Sequence, residues 1–399
     1  MILDLDFPPD MRVENEATAL IQNDYEVFLL CLDYDNSLPK KEIYKGVHLN
    51  RIYKMKKWAN RGRGLINTPF NYYTYFWAKH IINFVNEYDI NVLHIHDLYM
   101  LGAGFIAKKK LKKKIKIVGD LHENYVEGLK HYRFANSFPG NILISIPKWK
   151  RKEIEWCNKA DYLITVIDEA VGRYKSLGIP EEKITVVANY VNQDEFLKVK
   201  DNNKILNKFK SKFIITYIGG FDIHRGIESV VKAMPEVIKE CPDSKLILVG
   251  KGKNFKELIK LSQNLKVEKY ISFEGWQPPY NLPSYIKASN VCLIPHLKTV
   301  HTDNTIPHKL FHYMLLEKPV VATNCNPIER IVNETKCGLI YKSGDVKDFA
   351  DKVIKLYKNE KLRKEMSENG KKAVVEKYNW ENTSKNLIEL YEKIENELR

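Results

Sequence analysis

The feature that most constrains this chain is a rhythm that runs through it twice: short apolar, β-branched runs separated by helix-length segments. In the first half the runs are Ile2 to Phe7, Glu26 to Leu32, Val47 to Tyr53, Val92 to Ile95, Ile115 to Val118, Tyr162 to Val166 and Ile184 to Val187. In the second they are Phe213 to Tyr217, Leu246 to Val249, Ile271 to Phe273, Val291 to Ile294, Val320 to Thr323 and Gly338 to Ile340. Runs this short and this apolar, alternating with helical patterns, predict parallel sheets covered by helices on both faces. The class is therefore α/β, with two doubly wound, Rossmann-like domains. Apolar periodicity fades through the polar, lysine-rich stretch Asn189 to Asn207, which sets the boundary near residue 197. This gives domains at 1–197 and 198–379, followed by a helical tail over 380–399. Leu387, Leu390, Tyr391 and Ile394 give that tail an apolar stripe able to pack on either domain.

The bulk numbers agree with two domains and exclude several classes. A chain of 399 residues is too long for one ordinary core. It is 44% apolar and 29% charged, and no stretch approaches the ~20 uncharged apolar residues of a spanning helix. The first residues carry Asp4 and Asp6 inside the first apolar run instead of a basic secretory start, so the expected location is the cytoplasm. Six single cysteines without a C-x-x-C spacing read as reduced thiols. The net charge of +14 is concentrated in the lysine run Lys108 to Lys116, which is either a solvated helix end or a contact for an acidic partner such as an anionic membrane. No nucleic-acid recognition module accompanies it, so nucleic acid is not expected as a partner. The aromatic stretch Pro69 to Trp77 and the segment Tyr132 to Lys152 suit either a buried amphipathic face or a headgroup boundary.

Ligands of open α/β sheets bind at the carboxyl ends of strands, so the residues after each run carry the chemical information. After Phe213 to Tyr217 comes a glycine turn, Gly219-Gly220, and then Arg225-Gly226 at a helix start, a set suited to a pyrophosphate. Farther on, Thr305 to Met314 predicts a helix with Pro307 in its first turn, followed by a buried strand at Lys318 to Thr323. His94 and His96 share one strand face, and His308 and His312 lie one helical turn apart, but neither pair has an evident third metal ligand. Asp33-Tyr-Asp35 is a chance-level carboxylate pair. No metal and no cofactor are expected.

Taken in order along the chain, these motifs resemble the retaining family-four (group 1) glycosyltransferases, which have the GT-B fold of two Rossmann-like domains facing across a cleft. The resemblance rests on Gly219 to Gly226, Val249-Gly-x-Gly252, Phe273-Glu-Gly-Trp276, Pro307 to Met314, Lys318 to Thr323, Glu329 and Trp380. In the first half it rests on Asp10-Met-Arg-Val13, His94-Ile-His-Asp97, Asp120-Leu-His-Glu123 and Ala160 to Val166. It implies transfer of a sugar from a nucleotide-sugar donor to a glycan or lipid-linked acceptor; the lysine run and the aromatic stretch add the expectation of a peripheral place on the inner face of the membrane. Arg225, assisted by Lys309, falls where the family binds the donor diphosphate. Gly219, Gly220, Gly275, Trp276, Asn304, Thr305, His312 and Glu329 fall on the donor side, His122 beside the transferred sugar, and Arg12 on the acceptor side.

Three departures stand out. Where members usually carry two glutamates eight positions apart, this chain has Asn304 and His312, and a histidine cannot supply a fixed negative charge to the ribose hydroxyls. The arginine common after the first glycine of the turn is replaced by Gly220, and the first loop, Phe7 to Arg12, lacks paired glycines. The competing expectations are an inactive, nucleotide-sugar-binding relative and a sugar-nucleotide 2-epimerase. Nothing identifies the carboxylate pair of a glycosidase.

Overall fold

The computed structural model describes residues 1–130, 135, 137, 138, 140–210 and 212–399. It divides into two compact units, Met1–Asn189 with Thr383–Arg399, and Tyr190–Asn382. The division therefore falls after Asn189, ahead of the boundary near 197 that fading periodicity suggests.

The first unit is built on strands β1 (Ile2–Asp6), β2 (Phe28–Asp33), β3 (Lys41–Tyr44), β4 (Val47–Tyr53), β5 (Val92–His96), β6 (Lys116–Leu121), β7 (Tyr162–Thr165) and β8 (Ile184–Val186). Their order in the sheet is β3-β4-β2-β1-β5-β6-β7-β8, and only β3 runs antiparallel to its neighbour. Strand order reverses between β1 and β5, where Ile2 pairs with Leu30 on one side and Ile95 on the other. The helix Met11–Ile21 starts there because the Asp10 carboxylate accepts from the Arg12 and Val13 amides. The helix Tyr73–Tyr88 buries Tyr73, Trp77, Ile81, Phe84 and Val85 at helical spacing and stops at left-handed Asp89. The helix Trp380–Leu398 enters this unit from Thr383 onward. There it buries Leu387, Leu390, Tyr391 and Ile394.

The second unit contains β9 (Phe213–Ile218), β10 (Ser244–Val249), β11 (Ile271–Gly275), β12 (Val291–Ile294), β13 (Val320–Thr323) and β14 (Gly338–Tyr341). All are parallel, in the order β11-β10-β9-β12-β13-β14, with the reversal between β9 and β12. The helix Ile227–Glu240 presses Ile227, Val230, Val231, Met234 and Val237 into the same core as the inward residues of β9 and β10. A reversal of this kind leaves a crevice at the carboxyl ends of the two central strands.

The two segments that break the sequence rhythm are partly absorbed by packing. Tyr73 and Trp77 are fully buried, while Phe70 and Tyr75 keep 64% and 63% of their surface exposed. Of the segment 132–152, Tyr132, Arg133, Phe134, Asn136 and Pro139 lie outside the described residues. The helix Ile146–Lys159 that follows buries Trp149 and Trp156. Three of the seven lysines in the run form ion pairs: Lys108 with Asp161, Lys113 with Asp89, and Lys116 with Glu397. All six cysteines are free and buried. Among the described residues no helix is long and apolar enough to cross a membrane.

Candidate active site

In the second unit the crevice between β9 and β12 collects the cations. Gly219 and Gly220 follow β9, and the turn is closed by the Tyr217 hydroxyl, which donates to the Gly220 carbonyl at 2.7 Å. The chain then passes a short turn, Ile223–Arg225, and enters the helix Ile227–Glu240 through left-handed Gly226. A Cβ on Gly226 would sit 1.8 Å from the Pro295 carbonyl at the end of β12, so only glycine fits. That close approach places Arg225 against β12, with its Nη1 3.1 Å from His296 Nε2. Arg225 Nε is buried and has no partner among the described residues. Lys309 reaches the same place from the other side. Its Nζ donates to the Ile218 carbonyl at 3.0 Å and lies 3.9 Å from the Tyr217 ring centroid.

The electrostatics of this crevice are set by burial and by two basic side chains brought close together. Burial, then the Arg225 charge, pushes the Lys309 pKa well below its ordinary value. His296 is driven down by burial, then by Lys309 and Arg225, and is neutral. Its lone pair is thus available to the Arg225 guanidinium. His296 was not singled out in the sequence, although its place just past the end of β12 was the signal that could have found it.

The remaining donor-side positions lie at the same end of the sheet but in different circumstances. Gly275 ends β11 in a left-handed conformation, its carbonyl accepting from Gly250 at 2.7 Å, and Trp276 beyond it is 62% exposed. Glu329 sits in the first turn of the helix Asn326–Thr335 after β13. Asn304 and Thr305 turn their side chains back onto their own loop, to the Val300 carbonyl at 2.8 Å and the His301 carbonyl at 3.2 Å. The helix expected from Thr305 begins only at Lys309 and spans seven residues, with Pro307 ahead of its cap, so Pro307 does not fill its first turn. His312 lies flat on Phe196, ring centroids 4.3 Å apart and planes 7° from parallel. Burial, then His308, lowers its pKa to about 3, so it is neutral.

The first unit assembles a cluster that the sequence scattered. Arg12, 6% exposed, clasps Asp120 with Nε to Oδ2 at 2.9 Å and Nη2 to Oδ1 at 2.6 Å, and pairs with Glu16 at 2.8 Å. Its Nη1 donates to the Val187 carbonyl at 2.9 Å and to Asn189 Oδ1 at 2.6 Å. These bonds consume the guanidinium inside the protein. Arg12 therefore holds Asp120 and does not present itself to an acceptor, contrary to the acceptor-side placement. Asp120 in turn accepts from His122 Nε2 at 2.7 Å and lies 3.0 Å from His96 Nδ1. His94 rests against the Tyr391 hydroxyl at 2.9 Å.

Burial opposes every charge here, and the pairings decide which survive. For Asp120 the Arg12 and His122 charges overcome burial and hold its pKa well below the carboxylate range. For His122 burial is outweighed by Asp120, with Asp97 adding to it, and the pKa rises to about 9. His122 is thus a cation at neutral pH, with 22% of its side chain exposed. Burial first, then nearby like charges, keeps His94 and His96 neutral, and burial, then Asp120 and Asp10, lifts Glu16 to about 8 against the pull of Arg12. Glu16, His94, His96 and Asp120 place ligand-capable atoms within 4.8 Å of one another, which supplies the partners that His94 and His96 lacked in the sequence. Arg12 already binds both carboxylates of that set, so the positive charge a metal would bring is present as a guanidinium.

Two doubly wound parallel-sheet units of this kind constitute the GT-B fold of the glycosyltransferases. The chain belongs to the family-four, group 1 glycosyltransferases: the family model described as Glycosyltransferase Family 4 matches residues 11–195, and that described as Glycosyl transferases group 1 matches residues 198–373. Among curated relatives it is 23% identical to the N-acetyl-alpha-D-glucosaminyl L-malate synthase of Bacillus anthracis over 77% of this chain and 74% of that one. It is also 23% identical to an uncharacterized glycosyltransferase of Methanocaldococcus jannaschii, over 96% and 94% of the two chains. Among solved structures, sucrose-phosphate synthase from Thermosynechococcus elongatus superposes with a TM-score of 0.76 over 98% of both chains, at 15% identity. Anabaena HepE in complex with UDP gives 0.72 over 98% and 99%, at 14% identity.

Proposed function

We propose that this glycosyltransferase is a retaining enzyme that moves a sugar from a nucleoside-diphosphate donor to a glycan or lipid-linked acceptor in the synthesis of a polysaccharide, glycolipid or glycoprotein glycan. The observation that carries the reading is the crevice between β9 and β12, where Arg225 keeps Nε unpartnered among the described residues beside Lys309. The departing diphosphate binds there, against Arg225, Lys309, the Gly220 amide and the amides of the helix start at Ile227. Its oxygen takes the acceptor proton on the same face of the sugar, which retains configuration without a carboxylate nucleophile. The His122 cation, locked by Asp120, donates to a sugar hydroxyl. Gly275 and Trp276 carry the base, and Glu329 faces the sugar-diphosphate. The stacked, neutral His312, with Asn304, contacts the ribose without a fixed charge. No metal takes part, because Arg12 already occupies the Asp120 carboxylate and the Glu16 carboxyl that would hold it.

The test is thermal melting with UDP, GDP, ADP, dTDP and CMP near millimolar, in EDTA. A diphosphate at ~100 times its Kd stabilises by about 2.7 kcal/mol. Arg225→Ala should abolish the shift and cut transfer at least tenfold; no shift with any nucleotide, or turnover untouched by the substitution, overturns the reading. Binding without turnover would favour the inactive relative, for which the uncharged Asn304 and His312 are the motive. Product formation without any acceptor would favour the epimerase.

The protein sits at the inner face of an anionic membrane through the first unit. Met55, Trp58, Phe70, Tyr72 and Tyr75 are exposed there, and Lys54 joins the two segments by lying 4.3 Å from the Phe76 ring and 5.7 Å from that of Tyr72. Lys56, Lys57 and Arg61 complete a basic, aromatic face suited to lipid headgroups. Flotation with liposomes containing anionic lipid should fall several-fold in Trp58→Ser with Phe70→Ser; equal flotation with neutral lipid removes the membrane from the account.

A further inference from the structure

The crevice of the second unit holds its two basic side chains by the same device: each donates to a neutral acceptor. Lys309 Nζ donates to the Ile218 carbonyl, and Arg225 Nη1 donates to His296 Nε2 at 3.1 Å. A guanidinium has donors and no acceptor, so His296 Nε2 is the bare nitrogen of the ring and its proton lies on Nδ1. His296 is 3% exposed, and the charges that reach it come from Lys309, Arg225, His224 and His301, all basic groups. Protonation would set a second cation against Arg225 and remove the lone pair that holds it. Burial and these neighbours therefore keep the ring in the one state that can accept.

The backbone fixes this pair from both sides. His296 follows Pro295 at the end of β12, where the Pro295 carbonyl packs against Gly226, and the Leu297 amide donates to the His224 carbonyl at 2.9 Å. The His296 carbonyl accepts from the Ser343 hydroxyl at 3.4 Å and from the Cys325 thiol at 3.6 Å. With Nη1 anchored, the remaining edge of the guanidinium is the one formed by Nε and Nη2, whose parallel N–H bonds match two oxygens of a phosphate. Nε on that edge is buried and unpartnered among the described residues. The chemical type of the anchor matters as much as its place. Arg12 in the first unit is held by Asp120 through two bonds, and the carboxylate that orients it also cancels its charge. A neutral imidazole orients Arg225 and leaves its charge whole for a ligand.

We propose that His296 is the positioning residue for Arg225: accepting from Nη1 in its Nδ1-protonated tautomer, it aims the Nε–Nη2 edge of the guanidinium at the donor diphosphate without neutralising it. The identity of that ligand rests on the glycosyl-transfer reading above. The tautomer does not depend on it.

Titration calorimetry on the full chain tests the role with inorganic pyrophosphate, UDP, GDP, ADP and dTDP, the variants being compared with the ligand that the unaltered protein binds most tightly. His296→Gln keeps an uncharged acceptor near the place of Nε2 and should stay within about threefold of the unaltered Kd. His296→Leu removes the acceptor, and His296→Glu replaces it with one that cancels the Arg225 charge; each should weaken binding by about tenfold or more. A buried substitution can fail to fold, so a second measurement uses the unaltered protein. Nitrogen-15 NMR of its labelled histidines should show His296 with a bare Nε2 and a protonated Nδ1 from pH 6 to pH 8. A proton on Nε2, a His296→Leu protein that binds as tightly as the unaltered one, or equal weakening by His296→Gln and His296→Glu overturns the proposal. Binding of pyrophosphate without any nucleoside diphosphate defeats the donor reading alone, and the variants then test His296 with pyrophosphate. If the unaltered protein binds none of the five, both fall.

Discussion

At the scale of single residues, the sharpest consequence concerns His122. Its neighbours are Asp120, Asp97, His96 and, through Asp120, Arg12. A histidine at about 9 when folded and near 6.5 when unfolded binds its proton more tightly in the native state. The stabilisation is complete below pH 6.5 and is lost as pH rises through about 9. Chemical denaturation at pH 6 and pH 9.5 should show the unaltered protein losing on the order of 2–3 kcal/mol more than His122→Asn. The Glu16 carboxyl loses stability in the same direction as pH rises through about 8, and because the His122 charge lowers its pKa, the comparison reads His122 together with its effect on Glu16. Parallel profiles would mean that His122 is neutral and that its hydrogen bond to Asp120 is an ordinary one. The same residue scale shows why the donor side was more legible than the sugar side. Gly219, Gly220, Arg225 and Gly226 are neighbours in sequence, so the turn announces itself. Arg12, Glu16, His94, His96, Asp120, His122 and Tyr391 come from four elements and both ends of the chain. Arg12, His94, His96 and His122 were singled out in advance, but not as one cluster, and the role given to Arg12 changed once its partners were visible.

At the scale of elements, periodicity located thirteen of the strands because each central strand is apolar on both faces, as a covered parallel sheet requires. The one it missed, β3, has the pattern Lys-Glu-Ile-Tyr, lies at the sheet edge and leaves Ile43 68% exposed. Charge is the usual protection of an edge and erases the apolar signal. The helix ahead of β13 was misjudged for a local reason: the chain from Thr299 to Thr305 bonds to itself, with the Thr302 hydroxyl donating to the Leu297 carbonyl at 2.7 Å, and postpones the helix to Lys309. Element packing also yields a prediction at the junction of β12 with the helix Ile227–Glu240. Gly226→Ala places a methyl 1.8 Å from the Pro295 carbonyl at a φ of +68°, so backbone must move. The expected loss is ~3 kcal/mol or more, read as a drop in denaturation midpoint, because steric conflict adds to the cost of a left-handed alanine. Gly344→Ala, also at positive φ but with nothing within 4 Å, is the control and should lose only ~1–2 kcal/mol. Equal losses at both sites would show that strain, and not the contact with β12, sets the cost.

At the scale of the whole molecule, the chain returns to the first unit after completing the second, and the returning helix is part of the first unit's core. Thr383 Oγ1 accepts from the Ala188 amide at 2.7 Å, Asn386 donates to the Val186 carbonyl at 2.8 Å, and Tyr391 touches His94 within the charged cluster. Burying Leu387, Leu390, Tyr391 and Ile394 contributes roughly 1.5–3 kcal/mol per side chain, a sum comparable with the ~5–15 kcal/mol stability of a domain. A chain ending at residue 382 should therefore lose the ordered first unit while keeping the second, whose sheet and core lie within Tyr190–Asn382. Limited proteolysis of that truncated chain should leave a resistant fragment beginning near Tyr190, and the diphosphate that shifts melting of the full chain should still shift the fragment. If both units survive truncation, the stripe at 387–394 is a surface contact and not core. If both are lost, the second unit depends on the first for its own stability, and the division into two separately folding bodies fails.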